Sequence, residues 1–168
     1  AISIGYKPVW HAKSEKVIGF GCRPCRTTDY GLFFDDRVLH GGPNDPLAPT
    51  LGLIKLENAV DALKSAIAGE PPPDFFVSLQ IATLKTHQTE LLDVLERGDS
   101  ALNAAYLNIE LTGILPKSIP YASILDAVSF MKPHCRRLYA RIDAADEKAA
   151  VFRQAECVGF SMALTNDD

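Results

Sequence analysis

Cysteine is scarce. Four in 168 residues are too few for the dense disulfide framework of a small secreted domain. Cys22 and Cys25 match C-x-x-C, yet no second such pair and no H-x3-H accompanies them, so zinc or redox chemistry lacks its usual company. The motif follows an extended apolar run, residues 17–20, in which positions three apart face opposite ways. Chelation would need a turn at Pro24, and structural thiols are the expectation. No apolar run approaches the roughly 18 residues of a membrane-spanning helix, and the N-terminus has neither the basic start nor the apolar stretch of a signal peptide. No membrane insertion is expected, and the expected compartment is the cytoplasm. Positive charge is not in excess: 17 Lys plus Arg stand against 21 Asp plus Glu, a net charge of -4. Domains that hold nucleic acid by neutralising phosphates are usually basic, so nucleic acid is not the expected partner.

What remains is ordinary for a folded soluble chain, with 47% hydrophobic and 23% charged residues. The length suits one domain over residues 1–168 with a real core. The chain begins Ala1-Ile2-Ser3-Ile4 and stops at Asn166-Asp167-Asp168, and a piece of a longer protein is expected.

Residues 2–10 and 17–22, joined by a short polar turn, predict a hairpin. Residues 27–50, rich in Gly, Pro and Asp, predict a long irregular loop with at most one helical turn. Leu53, Leu56, Val60, Leu63 and Ile67 recur at helical spacing and predict a core-facing helix stopped by Gly69 and Pro71-Pro72-Pro73. A strand over 75–80 follows, then one helix carrying Ile81, Leu84, Leu91, Leu92 and Leu95 and ending at Gly98. A strand over 106–112 comes next. Ser118 and Pro120 open a helix with Tyr121, Ile124, Leu125, Val128 and Met131 that Pro133 closes. A strand over 138–143, a helix over about 146–157 and a strand over 159–164 complete the series. Ser78, Glu110 and Asp143 lie 32 and 33 residues apart, the length of a βα repeat. Such units build a parallel sheet covered by helices, either an open doubly wound sheet or a (β/α) barrel, with function at the C-terminal ends of the strands.

A parallel strand covered on both faces should be apolar on both, yet three strands alternate. Ser78 and Gln80 oppose Phe75, Val77 and Leu79. Asn108, Glu110 and Thr112 oppose Leu107, Ile109 and Leu111. Arg137, Tyr139, Arg141 and Asp143 oppose Leu138, Ala140 and Ile142. In a barrel these polar files converge on an interior cavity; in an open antiparallel sheet they form one wet face.

Tyr6-Lys7-Pro8-Val9 with Lys16-Val17-Ile18-Gly19-Phe20, then Val77-Ser78-Leu79, then Leu107-Asn108-Ile109-Glu110-Leu111-Thr112, then Ala140-Arg141-Ile142-Asp143 resemble, in order and spacing, the motif strands of the EAL-domain family. These are the cyclic di-GMP phosphodiesterases of bacterial signalling and their inactive relatives. The resemblance implies an α/β fold, a modified TIM-type (β/α) barrel whose first two strands form an antiparallel hairpin. It is expected to be incomplete here, with six candidate strands by Leu164 and the last two absent.

The resemblance also places the family's functional positions. The Glu of its Glu-Ala-Leu signature falls on Gly21, followed by Cys22 and Arg23. Its Asn ligand falls on Ser78, the second Asp of its Asp-Asp pair on Ala144, and its catalytic Lys near Met162. Glu110 and Asp143 are the retained metal positions. Its ligand-gripping Arg falls on Cys25, between Arg23 and Arg26; with Gln80 and Arg141 these are the candidate ligand contacts. Two-metal hydrolysis needs several oxygen ligands around two cations about 3.5 to 4 Å apart, which Glu110 and Asp143 alone do not supply. Arg141 shares the inward face, where Glu110 on the next strand would be its acceptor. At an open edge it would instead reach solvent.

The expected function is therefore a catalytically inactive EAL-like regulatory or protein-interaction domain of cyclic di-GMP-type signalling. No cofactor is needed, tight cyclic di-GMP binding is not expected, and the partner is a second copy or the remainder of a parent signalling protein. Open strand edges, the apolar Phe160, Met162 and Leu164, and the preceding helix around Val151, Phe152 and Ala155 are the expected contact. One alternative is an active phosphodiesterase using Mg2+ or Mn2+. Another is an unrelated (β/α) enzyme with Glu110 and Asp143 as acid and base.

Overall fold

The structure, a computed structural model, describes residues 3–34, 45–66, 70–113, 120–142, 152–153 and 157–161. The predicted hairpin is β1 (Ser3–His11) against β2 (Lys16–Thr28), with a register shift between Val9 and Trp10. β2 does not stop at Cys22. It stays extended through Pro24, so the C-x-x-C motif makes no turn, and Cys22 and Cys25 are both buried and free. A proline fits this strand because β2 pairs with β4 only up to Gly21 and with β3 only from Cys25. Among the described residues, 22–24 have no strand paired on that side, so fewer ladder bonds are at stake there.

The expectation of an irregular loop from residue 27 is corrected by β3 (Gly31–Phe34), which folds back on β2 after the two-residue turn Asp29-Tyr30. Thr28 Oγ1 donates to the Gly31 carbonyl at 3.0 Å and accepts from the Tyr30 N–H. Gly31 takes φ 110°, which other residues rarely adopt. Residues 35–44 lie outside the described set. The chain then enters α1 (Ala48–Lys64), whose face buries Leu56, Ala59, Val60 and Leu63.

The sheet runs β1-β2-β4-β5-β6-β7, with β3 attached to β2. Its remaining strands are β4 (Asp74–Gln80), β5 (Leu107–Thr112), β6 (Arg137–Arg141) and β7 (Gly159–Ser161). Every pairing from β2–β4 to β6–β7 is parallel. An antiparallel entry followed by parallel βα units is the architecture expected of an incomplete modified barrel. The helix predicted between β4 and β5 is three: α2 (Ile81–Thr86), α3 (Gln88–Arg97) and α4 (Ser100–Tyr106). His87 leaves helical geometry at φ −129°, and Thr86 Oγ1 bonds back to the Ala82 carbonyl, a local competition that interrupts helices. Asp99 caps α4 by accepting from Ala101 and Leu102 N–H. Tyr106 therefore ends a helix instead of starting a strand.

In α5 (Tyr121–Met131), Ile124, Ala127, Val128 and Met131 are buried, whereas Tyr121 and Leu125, expected on the same face, are exposed. Pro133 lies within a 3-10 turn, Lys132–His134, that follows. Of the helix predicted over about 146–157, residues 152 and 153 are helical. Phe152 is fully buried in the core, so it belongs to the fold and not to an assembly surface. Ile67, Gly69, Ser118, Val151, Ala155 and residues 162–164 lie outside the described set, as does the Phe160 side chain.

The apolar strand files, Phe75, Val77 and Leu79 with Leu107, Ile109 and Leu111, and Leu138 with Ala140, form the core against the helices. At the N-terminal end of the parallel strands, Arg136 Nη1 donates to both Asp74 oxygens, at 2.6 and 2.8 Å. The Asn108 amide donates to Asp74 Oδ2 and to the Phe75 and Tyr106 carbonyls. This polar knot ties β4, β5 and the entry to β6.

Candidate functional site

The opposite, inward face carries the polar files, and the sheet curls around a cavity of about 500 Å³. Its wall takes Gly21 and Arg23 from β2, Ser78 from β4, Glu110 from β5, Tyr139 from β6 and Ser161 from β7. Lys7, Pro8 and Val9 of β1 also border it. Strands from both ends of the sheet therefore border one space. Phe76 and Tyr139, with ring centroids 6.3 Å apart, give the cavity an aromatic surface.

Alternation along β5 and β6 brings the principal charges together. Glu110 registers opposite Tyr139, and Arg141, two residues on, faces the same way. Its Nη2 donates to Glu110 Oε1 at 3.1 Å and Oε2 at 3.0 Å. The Ser161 hydroxyl of β7 also donates to Oε1. Glu110 and Arg141 are only partly exposed, at 17% and 36% of their side chains, so each compensates the other's loss of hydration. The Arg141 Nε–H is buried without an acceptor among the described residues.

A second cation was not legible in the sequence. Lys55 of α1 donates from Nζ to the Ser78 carbonyl at 2.6 Å and to Ser78 Oγ at 2.7 Å. The β2–β4 ladder ends at Gly21 opposite Phe76, so the strand beyond lacks a β2 partner and the ammonium takes up that carbonyl. Lys55 reads as one more polar position between Leu53 and Leu56 on an amphipathic helix; only the early end of the ladder gives it a role. Lys55 and Arg23 partly offset the effect of burial on Cys22, whose thiol is pushed up to about 12.

Of the other candidates, Arg23 lines the cavity. Arg26 is exposed at the level of Phe33 on β3, and Gln80 is half-buried at the end of β4 opposite Thr112. Neither borders the cavity. Asp143, Ala144 and Met162 lie outside the described residues. A Cβ on Gly21 would meet nothing closer than 3.7 Å, so the wall has room for a side chain where it has none.

No family model and no curated protein matches the sequence. Solved structures do match. The PaMucR phosphodiesterase in complex with c-di-GMP superposes at a TM-score of 0.71 with 14% identity, over 96% of this chain and 65% of that one. The chain has the EAL-domain fold. The Bacillus subtilis YkuI protein, with an EAL domain and solved with c-di-GMP and calcium, gives 0.70 at 11% identity over 97% of this chain and 41% of that one. The EAL enzyme Bd1971, bound to cAMP and cyclic di-GMP, gives 0.70 at 12% identity over 95% and 45%. The chain thus spans between 41% and 65% of the length of these three structures.

For a divalent cation of the kind solved with YkuI, the described residues supply Glu110 alone of the two retained metal positions, Asp143 lying outside them. They contain no group of three His, Cys, Asp or Glu side chains able to hold a metal. Both oxygens of Glu110 are held by Arg141, and Ser78 is held by Lys55.

Proposed function

We propose that this chain is a non-hydrolytic EAL-like domain that works by binding, as a regulatory or docking part of a larger bacterial signalling protein. The observation that carries the reading is the chemistry of the wall at Ser78 and Gly21. Two-metal phosphate-ester cleavage needs clustered oxygen anions to hold its cations and make hydroxide from water. Here an ammonium sits on Ser78, and Gly21 brings no side chain.

The cavity remains open, and cations border it at Lys7 and Arg23. Tight cyclic di-GMP binding is nevertheless not part of this reading, because the family's gripping Arg falls on the buried Cys25. Assembly through the sheet edges is part of it. β1 and β7 each have one strand neighbour among the described residues, and open edges recruit strands. The exposed Trp10 on β1 adds apolar surface there. The partner is a second copy or the remainder of the parent protein, and the compartment is the cytoplasm. No described helix is long and apolar enough to cross a membrane.

Purified protein incubated with cyclic di-GMP and either Mg2+ or Mn2+ is expected to release no linear dinucleotide, as read by chromatography. Turnover that disappears in Glu110→Ala would overturn the reading in favour of an active phosphodiesterase.

A further inference from the structure

We infer that Arg141 is a built-in substitute for a bound cation: its guanidinium holds Glu110 and the three-strand wall in the way a divalent metal would, and thereby makes the site independent of metal. The inference deepens the reading above and rests on it for the place of Glu110 in the EAL fold.

Glu110 stands on the inward face with little solvent, and a carboxylate so placed requires a counter-charge and donors. A metal would supply both by coordination. Arg141 supplies both through a covalent tether: one nitrogen spans the two carboxylate oxygens at 3.1 and 3.0 Å, and Ser161 adds a hydroxyl on Oε1. The groups come from β5, β6 and β7, so the carboxylate clasps three adjacent strands. The guanidinium does not present its Nε edge to the carboxylate, and Nε–H is buried with no partner among the described residues. A side-on guanidinium would set Nε and one Nη against the two oxygens as parallel bonds. The arrangement instead centres one nitrogen between both oxygens, where a point charge would sit. A cation arriving from solvent would have to displace a tethered guanidinium.

Thermal unfolding with millimolar Mn2+, or with K+ at matched ionic strength, tests this. Wild type is expected to show no response specific to Mn2+. Arg141→Ala should lose about 6 °C or more in Tm, taking roughly 2 to 4 °C per kcal/mol for a chain of this size. Mn2+ should recover part of that loss and K+ should not. The restoration should vanish in Arg141→Ala with Glu110→Gln. Should the alanine variant fail to fold, Arg141→Met, which keeps the aliphatic stem, is measured in its place. Mn2+ stabilising wild type as much as the variant would overturn the inference, as would a variant that Mn2+ does not restore. Hydrolysis assayed on the same samples bears on the proposed function alone.

Discussion

Gly19 and Gly21 lie two residues apart on β2, and the structure assigns them opposite tolerance to a methyl group. A Cβ on Gly19 would lie 2.2 Å from the Asp74 carbonyl oxygen and 2.9 Å from its carbon. Relief requires the backbones to part by more than about 1 Å, beyond the range of a good N–H···O bond. The Asp74 carboxylate is held by Arg136 and Asn108, so a shift of its backbone also strains that knot. The β2–β4 contact is only three residues long, 19–21 against 74–76, so displacement at its first pair threatens the whole join between hairpin and parallel strands. Losing about two ladder bonds at roughly 1 kcal/mol each, with overpacking strain of about 1 to 3 kcal/mol, predicts that Gly19→Ala costs about 3 to 5 kcal/mol. Gly21→Ala, with its nearest contact at 3.7 Å, should stay within about 1 kcal/mol of wild type. Urea unfolding followed by circular dichroism reads both. A Gly19→Ala variant within about 1 kcal/mol of wild type would refute the argument, as would equal damage from the two.

Phe152→Ala should cost about 3 to 5 kcal/mol as a cavity in the core, since the ring is fully buried; urea midpoints check this, and a loss below about 1 kcal/mol would return the residue to the surface. Burial pushes the Cys22 and Cys135 thiols up to about 12 and Cys157 to about 11, from an ordinary 9.0. A raised folded-state value means the unfolded chain releases its protons first. The contribution is fully present below the unfolded value and is lost as pH rises from about 9 through the folded values. Stability measured at successive alkaline pH should therefore fall, and Cys22→Ala should flatten that fall; an unchanged slope would count against a buried thiol at this position.

The main frame was legible because its signals are strong and local. The period of α1 and the alternation in β4 and β5 each survive as observed elements. The Glu110–Arg141 pair was legible for a related reason: parity along two adjacent strands decides which side chains share a face. What escaped was set by single side chains or by tertiary boundaries. β3 hid among glycines and aspartates because its turn depends on Thr28 Oγ1 and the φ of Gly31. α4 has no apolar period, and its fully buried side chain is Asn103, whose amide donates to the Leu95 carbonyl. Lys55 gains its acceptor only where two strands diverge, and nothing in the local sequence records that divergence.

The knot formed by Asp74, Arg136 and Asn108 lies at one end of the parallel strands, and the cavity with Glu110 and Arg141 lies toward the other. Strand registration and cavity chemistry are thus written in separate sets of residues, on separate clocks of change. Substitutions around the cavity leave the hold of the far end on β4, β5 and β6 untouched. The alignment of the wall therefore does not depend on what the cavity binds, which suits a fold shared with its structural neighbours at 11 to 14% identity.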